Sequence, residues 1–253
     1  MSKHTVIALS GKGGVGKSTV AALLIKVLRD RNDGAVFAVD ADPNSCLADY
    51  LGLEVEEDIG AIREETLKSI SEIPAGMTKE RWINYRIQEC LAESTGIDLL
   101  AMGRPEGPGC YCYVNNLIRA YVDSMHRNYR YIVIDNEAGM EHLSRRSSHT
   151  IDYLLIVSDL TIPGLKAATR IHDISRKLDI VTHYTGLVLN KANDSETENT
   201  KSLIEKTGLE VIGNLPTDPY LKKFGLTGNT LLEIPDDSPV VIAVRELSVV
   251  LDL

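Results

Sequence analysis

The chain has 253 residues, of which 43% are hydrophobic and 25% are charged, a composition typical of a folded globular protein and not of a disordered one. Its 27 Lys and Arg against 36 Asp and Glu give a formal net charge of −9. This charge argues against nucleic acid as a partner, because binding through phosphate contacts needs a basic face. No linker or shift of composition divides the chain, so we expect one domain over 1–253.

The N-terminal segment and the cysteines bear on the compartment. After one basic residue, an apolar stretch runs only as far as Gly11 and is too short for a signal peptide. No stretch of the sequence approaches the roughly 18 apolar residues of a membrane span. The four cysteines are too unevenly spread for a disulfide framework. We therefore expect a cytoplasmic protein with reduced thiols and no membrane partner.

Apolar runs alternate with helical repeats along the chain. A strand at 5–10, a glycine-rich turn, a helix at 19–29 and a strand at 35–39 form one βαβ unit. Further strands are predicted at 97–102, 131–135, 153–158, 185–190 and 209–215, and helices at 47–51, 61–72, 79–93, 112–127, 164–178, 196–207 and 238–250. Continuous apolar strands indicate burial on both faces, so the predicted fold is α/β, with a mostly parallel sheet covered by helices on both faces.

The segment 54–96 is the most polar and least patterned part of the chain. It is interpreted as a helical insertion on the surface, with two helices joined at Pro74-Ala75-Gly76 and with Thr78 capping the second helix. A partner-binding surface is the alternative interpretation.

Residues 11–18 fit the phosphate-loop pattern GxxxxGK[ST] between a predicted strand and a predicted helix. Glycines let successive N–H groups turn toward a phosphate, and the start of the helix adds its positive dipole. In this pattern Lys17 bridges the β- and γ-phosphates and the Ser18 hydroxyl binds Mg²⁺. The sequence thus predicts a P-loop domain that binds ATP, ADP and Mg²⁺ through Gly11, Lys12, Gly13, Gly14, Val15, Gly16, Lys17, Ser18 and Thr19.

A second lysine, Lys12, gives the loop the form Lys-Gly-Gly-Val-Gly-Lys-Ser, which resembles the deviant Walker A ATPases. That group includes the nitrogenase iron protein and the septum-positioning and chromosome-partitioning ATPases. The resemblance implies a homodimer in which Lys12 reaches the partner's phosphates and stabilises charge on the γ-phosphate, as an arginine finger does. It also implies that Asp42 positions or deprotonates the attacking water, with Asp40 organising the Mg²⁺ shell. Capping of a turn before Pro43 is the alternative for both aspartates.

Two later strand ends complete the predicted nucleotide site. The strand 131–135 ends in Asp135-Asn-Glu-Ala-Gly139, which matches a Walker B and switch II of DxxxG form. Asp135 is expected to hold a Mg²⁺-bound water, and the Gly139 N–H is expected to sense the γ-phosphate. The resemblance assigns the adenine contacts to Asn190, Lys191, Pro216, Thr217 and Asp218. An ordinary turn residue is the alternative for Asn190.

The segment Cys110-Tyr-Cys112 follows a loop rich in glycine and proline. Two thiolates do not complete a four-ligand site, but two copies facing across a twofold axis supply four. Soft thiolates suit Zn²⁺ and also Ni²⁺. Two reduced thiols in a loop are the alternative.

The passages 11–19, 39–47, 110–112 and 135–145 together closely resemble the CooC family of nickel-insertion accessory ATPases. These proteins serve carbon monoxide dehydrogenase, and their relatives serve acetyl-CoA synthase. The resemblance implies a dimeric Mg²⁺-dependent ATPase in which Cys110 and Cys112 bind one nickel ion per dimer for delivery to such a client. Two alternatives stay open, an iron–sulfur reductase like the nitrogenase iron protein and a positioning or partitioning ATPase. The absence of cysteine over 113–253 weakens the first, and the C-terminus, which is not basic, weakens the second.

Overall fold

The computed structural model describes residues 4–62, 74, 76–103, 128–136, 151–177 and 182–253. Within this part of the chain, one sheet has the strand order β3-β4-β2-β5-β1-β6-β7-β8. Its strands are β1 (Thr5–Gly11), β2 (Val36–Ala41), β3 (Leu91–Ser94), β4 (Ile97–Ala101), β5 (Tyr131–Asn136), β6 (Ile151–Ser158), β7 (Thr182–Asn190) and β8 (Val211–Leu215). All neighbouring strands are parallel except β3 and β4, which confirms the predicted mostly parallel α/β sheet.

Helices cover both faces of this sheet. They are α1 (Lys17–Asp30), α2 (Cys46–Leu51), α3 (Lys79–Glu89), α4 (Ile162–Lys177), α5 (Asp194–Glu205), α6 (Pro219–Thr227) and α7 (Pro239–Val250), with a 3₁₀ turn at Leu231–Glu233. No helix in the described ranges combines the length and the hydropathy that a bilayer span requires.

Alternation along β1 divides the core into two layers. Ile7 and Leu9 pack into a cluster with α1, α2 and α7, whereas Val6 and Ala8 belong to clusters with α3 and α4. Successive side chains of a strand point to opposite faces, so the two sets of helices lie on opposite sides of the sheet. A strand buried on both faces must be apolar at every position, which explains the continuous apolar run that predicted β1.

The segment 54–96 contributes both a helix and a strand to this architecture. The Thr78 hydroxyl accepts a hydrogen bond from the Arg81 N–H at 3.2 Å and caps α3, as the sequence predicted. Trp82 and Ile87 of α3 are buried against Phe37 of β2. This part of the segment therefore packs on the sheet.

The structure corrects two predictions of secondary structure. The helix predicted over 79–93 ends at Glu89, and Leu91–Ser94 forms β3, antiparallel to β4. The helix α6 was not predicted, although Asp218 followed by Pro219 is a common way to start a helix. The helix predicted at 112–127 lies outside the described residues, as does most of the one at 61–72.

Candidate functional site

Parallel pairing brings the carboxyl ends of all the described strands except β3 to one edge of the sheet. Asp40 of β2 is in register with Asp135 of β5, and Gly11 of β1 is in register with Val157 of β6. The strand β1 has β5 on one side and β6 on the other, so the loop after it opens at the centre of this edge. Ligands of open α/β sheets bind in such a crevice.

The loop between β1 and α1 has the backbone conformation of a phosphate cradle. Gly14 and Gly16 have φ angles of +84° and +91°, which glycine adopts without a Cβ penalty. Gly16 is also the N-cap of α1 and offers no side-chain cap to the first turn. The first N–H groups of α1 therefore remain for an anion, as in known phosphate-binding helix starts.

The two lysines of the loop lie in different environments. Lys17 is only 6% exposed, and its ammonium is near enough to Asp135 to lower the pKa of that carboxyl. Lys12 is exposed on the loop. Lys17 therefore faces the interior of the site, whereas Lys12 is accessible to a second molecule.

Asp40 is fully buried and holds the next loop in place. Its Oδ1 accepts a hydrogen bond from the Asp42 N–H at 3.2 Å, and its Oδ2 accepts one from the Leu47 N–H at 2.9 Å. Burial, aided by the negative charge of Asp135, raises the pKa of Asp40 to about 7. Asp40 thus connects the sheet edge to the start of α2 and fixes the position of Asp42.

Asp135 is fully buried beside Asp40. Neither of its carboxylate oxygens accepts a hydrogen bond of standard geometry from the described residues, although the Ser18 hydroxyl is close enough to lower its pKa. Burial has the larger effect and raises the pKa of Asp135 to about 6. A buried carboxylate without a partner costs free energy, and a bound cation removes that cost.

These oxygens fit Mg²⁺. The ion prefers oxygen ligands and usually keeps several waters, with one or two carboxylates and substrate phosphates completing its shell. Ser18, Asp40 and Asp135 supply such oxygens beside the phosphate loop. The described residues contain no cluster of three or more His, Cys, Asp or Glu side chains that would hold a metal on its own.

Asn190, at the end of β7, lies against the phosphate loop. Its side chain is 4% exposed, its Nδ2 donates to the Val15 carbonyl at 2.8 Å, and its Oδ1 accepts from the Lys191 N–H at 3.0 Å. A Cβ on Gly16 would stand 2.4 Å from the same Nδ2. Asn190 therefore fixes the loop conformation, a role that the sequence did not suggest, and its contact with the adenine stays a prediction.

The predicted adenine-binding loop 216–218 lies next to this connection, because the Ala192 N–H donates to the Leu215 carbonyl at 3.0 Å. The Asp218 carboxylate caps α6 through the Tyr220 N–H and accepts a hydrogen bond from the Ser238 hydroxyl at 2.6 Å, before α7. Pro216 is half-buried, and Thr217 and Lys191 are exposed. Asp218 thus shapes the loop, and the exposed residues are accessible to a ligand.

Asn136 is a further site residue that the sequence analysis did not single out. It is buried, and its Nδ2 donates to the Leu9 carbonyl at 2.8 Å, which joins the ends of β5 and β1 in front of the phosphate loop. A polar residue at the end of an apolar strand was the available signal. Gly139, Cys110 and Cys112 lie outside the described residues.

A model of the CobQ/CobB/MinD/ParA nucleotide binding domain matches residues 6–231. The chain is 41% identical over 245 residues, 96% of each protein, to an uncharacterized ATP-binding protein of Methanocaldococcus jannaschii. It is 33% identical over 194 residues to the carbon monoxide dehydrogenase accessory protein CooC of Rhodospirillum rubrum, covering 70% of this chain and 71% of that protein. The ParA family ATPase of Chlorobium tepidum has the same fold, with a TM-score of 0.73 at 19% identity over 98% of this chain and 99% of that chain.

Replacing Asp135 by Asn is expected to stabilise the ligand-free protein. A raised pKa in the folded state means that the carboxyl favours folding below about pH 4, and that this contribution is lost as the pH rises through about 6. The amide avoids this loss, so above about pH 6 the variant should gain on the order of 2 kcal/mol, and the gain should vanish near pH 4. Chemical denaturation of the nucleotide-free and Mg²⁺-free protein across this range measures the effect.

Asp40→Asn is the matched control, because it also removes a buried charge but changes a group whose two oxygens accept backbone hydrogen bonds. An amide nitrogen in place of one oxygen leaves an N–H group without its acceptor, which costs about 1 to 3 kcal/mol and offsets the gain from removing the charge, so this variant should be less stable than Asp135→Asn. Equal stability of the two variants, or a gain for Asp135→Asn that does not depend on pH, would contradict the environment assigned to Asp135.

Asn190→Ala is expected to weaken binding of inorganic triphosphate as much as binding of ATP, by about tenfold, because it removes the hydrogen bond that holds the phosphate loop. Isothermal titration with both ligands and Mg²⁺ measures this. Asn193→Ala, in the same connection but bonded to Ser195, is the control and should bind both normally. A loss confined to ATP would mean that Asn190 contacts only the base.

Proposed function

We propose that this chain, which belongs to the CobQ/CobB/MinD/ParA family of nucleotide-binding domains, is a dimeric Mg²⁺-dependent ATPase. Its proposed role is to assist nickel insertion into carbon monoxide dehydrogenase or acetyl-CoA synthase. ATP binding is the property of the family as a whole. The observation that supports hydrolysis is the pair of buried carboxylates, Asp40 and Asp135, in register at the open end of the phosphate loop.

The roles of the site residues follow from their positions. Mg²⁺ would be held by the Ser18 hydroxyl and, through water, by Asp135, and when bound it neutralises phosphate charge. Lys17 lies beside Asp135 and supplies a fixed positive charge for the β- and γ-phosphates. The Oδ1 of Asp42 accepts hydrogen bonds from the backbone N–H and from the side-chain Nδ2 of Asn44, at 2.9 and 2.8 Å. In this proposal the other oxygen, Oδ2, orients the attacking water.

A dimer completes the site in this proposal. Lys12 is exposed, and an exposed lysine next to the phosphates stabilises transition-state charge only where water is excluded. Packing of a second copy against the loop provides that exclusion. Hydrolysis then removes the γ-phosphate contacts and releases the closed state.

Lys12→Ala should lower ATP turnover by at least about a hundredfold and should weaken nucleotide-dependent dimerisation at the same time. Lys17→Ala should abolish turnover, because it removes the charge within the protomer itself. Phosphate release and sedimentation velocity with Mg²⁺ and ATP measure the two effects. Normal dimerisation and turnover in Lys12→Ala would count against its action across the interface, and turnover in Lys17→Ala would place hydrolysis elsewhere.

The metal part of the proposal depends on the sequence and on one relative. The Cys110-Tyr-Cys112 segment offers two thiolates per chain, and the Rhodospirillum rubrum relative is a carbon monoxide dehydrogenase accessory protein. In this hypothesis nickel is the ion that the protein delivers, and Zn²⁺ competes for the same thiolates.

The other two cysteines are poor ligands. Burial raises the pKa of Cys90 to about 12, and burial together with the charge of Asp40 raises the pKa of Cys46. A metal binds the thiolate, so a raised pKa disfavours binding at both positions. This difference provides a matched control for a test of the Cys110-Tyr-Cys112 pair.

The protein should bind about half a Ni²⁺ or Zn²⁺ ion per chain, because two chains share one four-thiolate site. Replacing Cys110 and Cys112 by Ala should abolish this binding, whereas Cys46→Ala should retain it. Metal content after anaerobic dialysis measures the stoichiometry, and sedimentation shows whether metal and dimer form together. Unchanged binding in the double variant would overturn the metal assignment.

The same anaerobic sample separates the alternatives. A brown, oxygen-sensitive chromophore would indicate an iron–sulfur reductase in place of a nickel carrier. Co-sedimentation with lipid vesicles or DNA in the presence of ATP would indicate a positioning or partitioning ATPase.

A further inference from the structure

A groove of about 340 Å³ lies between α4 and α5. Apolar and cationic side chains line it together. The apolar ones are Ile162, Leu165 and Leu203, and the cationic ones are Lys166, Arg170 and Lys206. Leu165 is buried at its base, whereas Ile162 remains 54% exposed at its rim.

The three cations are exposed, and within the described part of the chain none of them makes an ion pair or a side-chain hydrogen bond. Their acidic neighbours along the chain, Asp173 and Glu205, do not pair with them. Some cations elsewhere on the described surface are paired, as in Lys26 with Asp236 at 2.8 Å and Arg86 with Glu57 at 2.7 Å. Three cations without an ion pair among the described residues thus line one groove of a chain whose net charge is −9.

The spacing of the cations defines what they match. Lys166 and Arg170 are four residues apart on α4, so they lie one above the other on one face of that helix. Carboxylates one turn apart on a second helix meet this spacing. An apolar floor flanked by charges is the surface that receives an amphipathic helix, whose apolar side chains enter the groove.

We propose that this groove binds an acidic amphipathic helix of a partner protein. Charge complementarity directs such a helix to the groove, because the net negative charge repels it from the rest of the surface. Duplex nucleic acid is the poorer match, since an apolar floor contributes nothing to phosphate contacts. The groove contains none of the residues assigned to the nucleotide site, and its assignment does not depend on the metal proposal.

The groove is next to the nucleotide edge of the sheet. Val157 of β6 is in register with Gly11 of β1, and α4 begins at Ile162, soon after β6 ends. Asp159 fixes this connection by accepting hydrogen bonds from the N–H and the hydroxyl of Thr161, at 3.2 and 2.6 Å. The end of the groove that Ile162 lines is therefore the end near the nucleotide edge.

Fluorescence anisotropy with a labelled synthetic helix of about 16 residues tests the proposal. The probe carries leucines on one face and glutamates on the other, and a second probe has every Glu replaced by Gln. The full chain should bind the Glu probe and not the Gln probe. The double variant Lys166→Glu, Arg170→Glu should weaken binding at least about tenfold, and Ile162→Asp should weaken it as well.

Lys222→Glu with Lys223→Glu is the matched control, because it makes the same charge change on the exposed side of α6, away from the groove. It should leave the affinity within about twofold. Equal losses in the two double variants, or equal binding of the two probes, would overturn the proposal. Binding of a labelled DNA duplex that is lost in the groove variant would assign the cations to nucleic acid. Thermal unfolding of each variant separates lost binding from lost structure. If the variant with Lys166→Glu and Arg170→Glu does not fold, Lys166→Gln with Arg170→Gln takes its place.

Discussion

The arrangement of this site depends on the burial of two carboxylates side by side. Parallel register places Asp40 directly opposite Asp135, and both are fully buried. The raised pKa values, to about 7 and about 6, show that burial opposes ionisation of both groups. A bound cation or ligand compensates the free-energy cost of burying such a pair. In the ligand-free protein, the large two-layer core supplies the stability that offsets this cost.

The two aspartates have different roles at this edge of the sheet. Asp40 uses both of its oxygens on backbone N–H groups and so holds the loop that carries Asp42. Asp135 accepts no backbone hydrogen bond from the described residues and faces Lys17 and Ser18. One carboxylate therefore positions the loop and the other remains for a metal shell. The phosphate loop is fixed separately, from the opposite side of β1, by the Asn190 side chain.

Local patterns predicted the strands of the central sheet and the phosphate loop well, because each is encoded in a short continuous stretch. The buried strands are apolar at every position, and the loop follows the glycine spacing of its motif. The positions of Asn190 and Asp218 were harder to predict, since their roles depend on which strands are neighbours in the sheet. β3 and α6 were missed because a strand of four residues and a helix of nine carry too little periodicity to stand out from the surrounding sequence.

Net charge describes an average, and the surface of this protein departs from it locally. The value of −9 disfavours nucleic acid across the whole chain, yet three cations that are unpaired among the described residues line the groove between α4 and α5. What decides between classes of partner is the surface between those cations, and here it is apolar. A phosphate backbone gains nothing from leucine and isoleucine side chains, whereas a helix with an acidic and an apolar face uses both parts of the groove. Since α4 follows β6 directly, such a partner would lie within reach of the nucleotide edge.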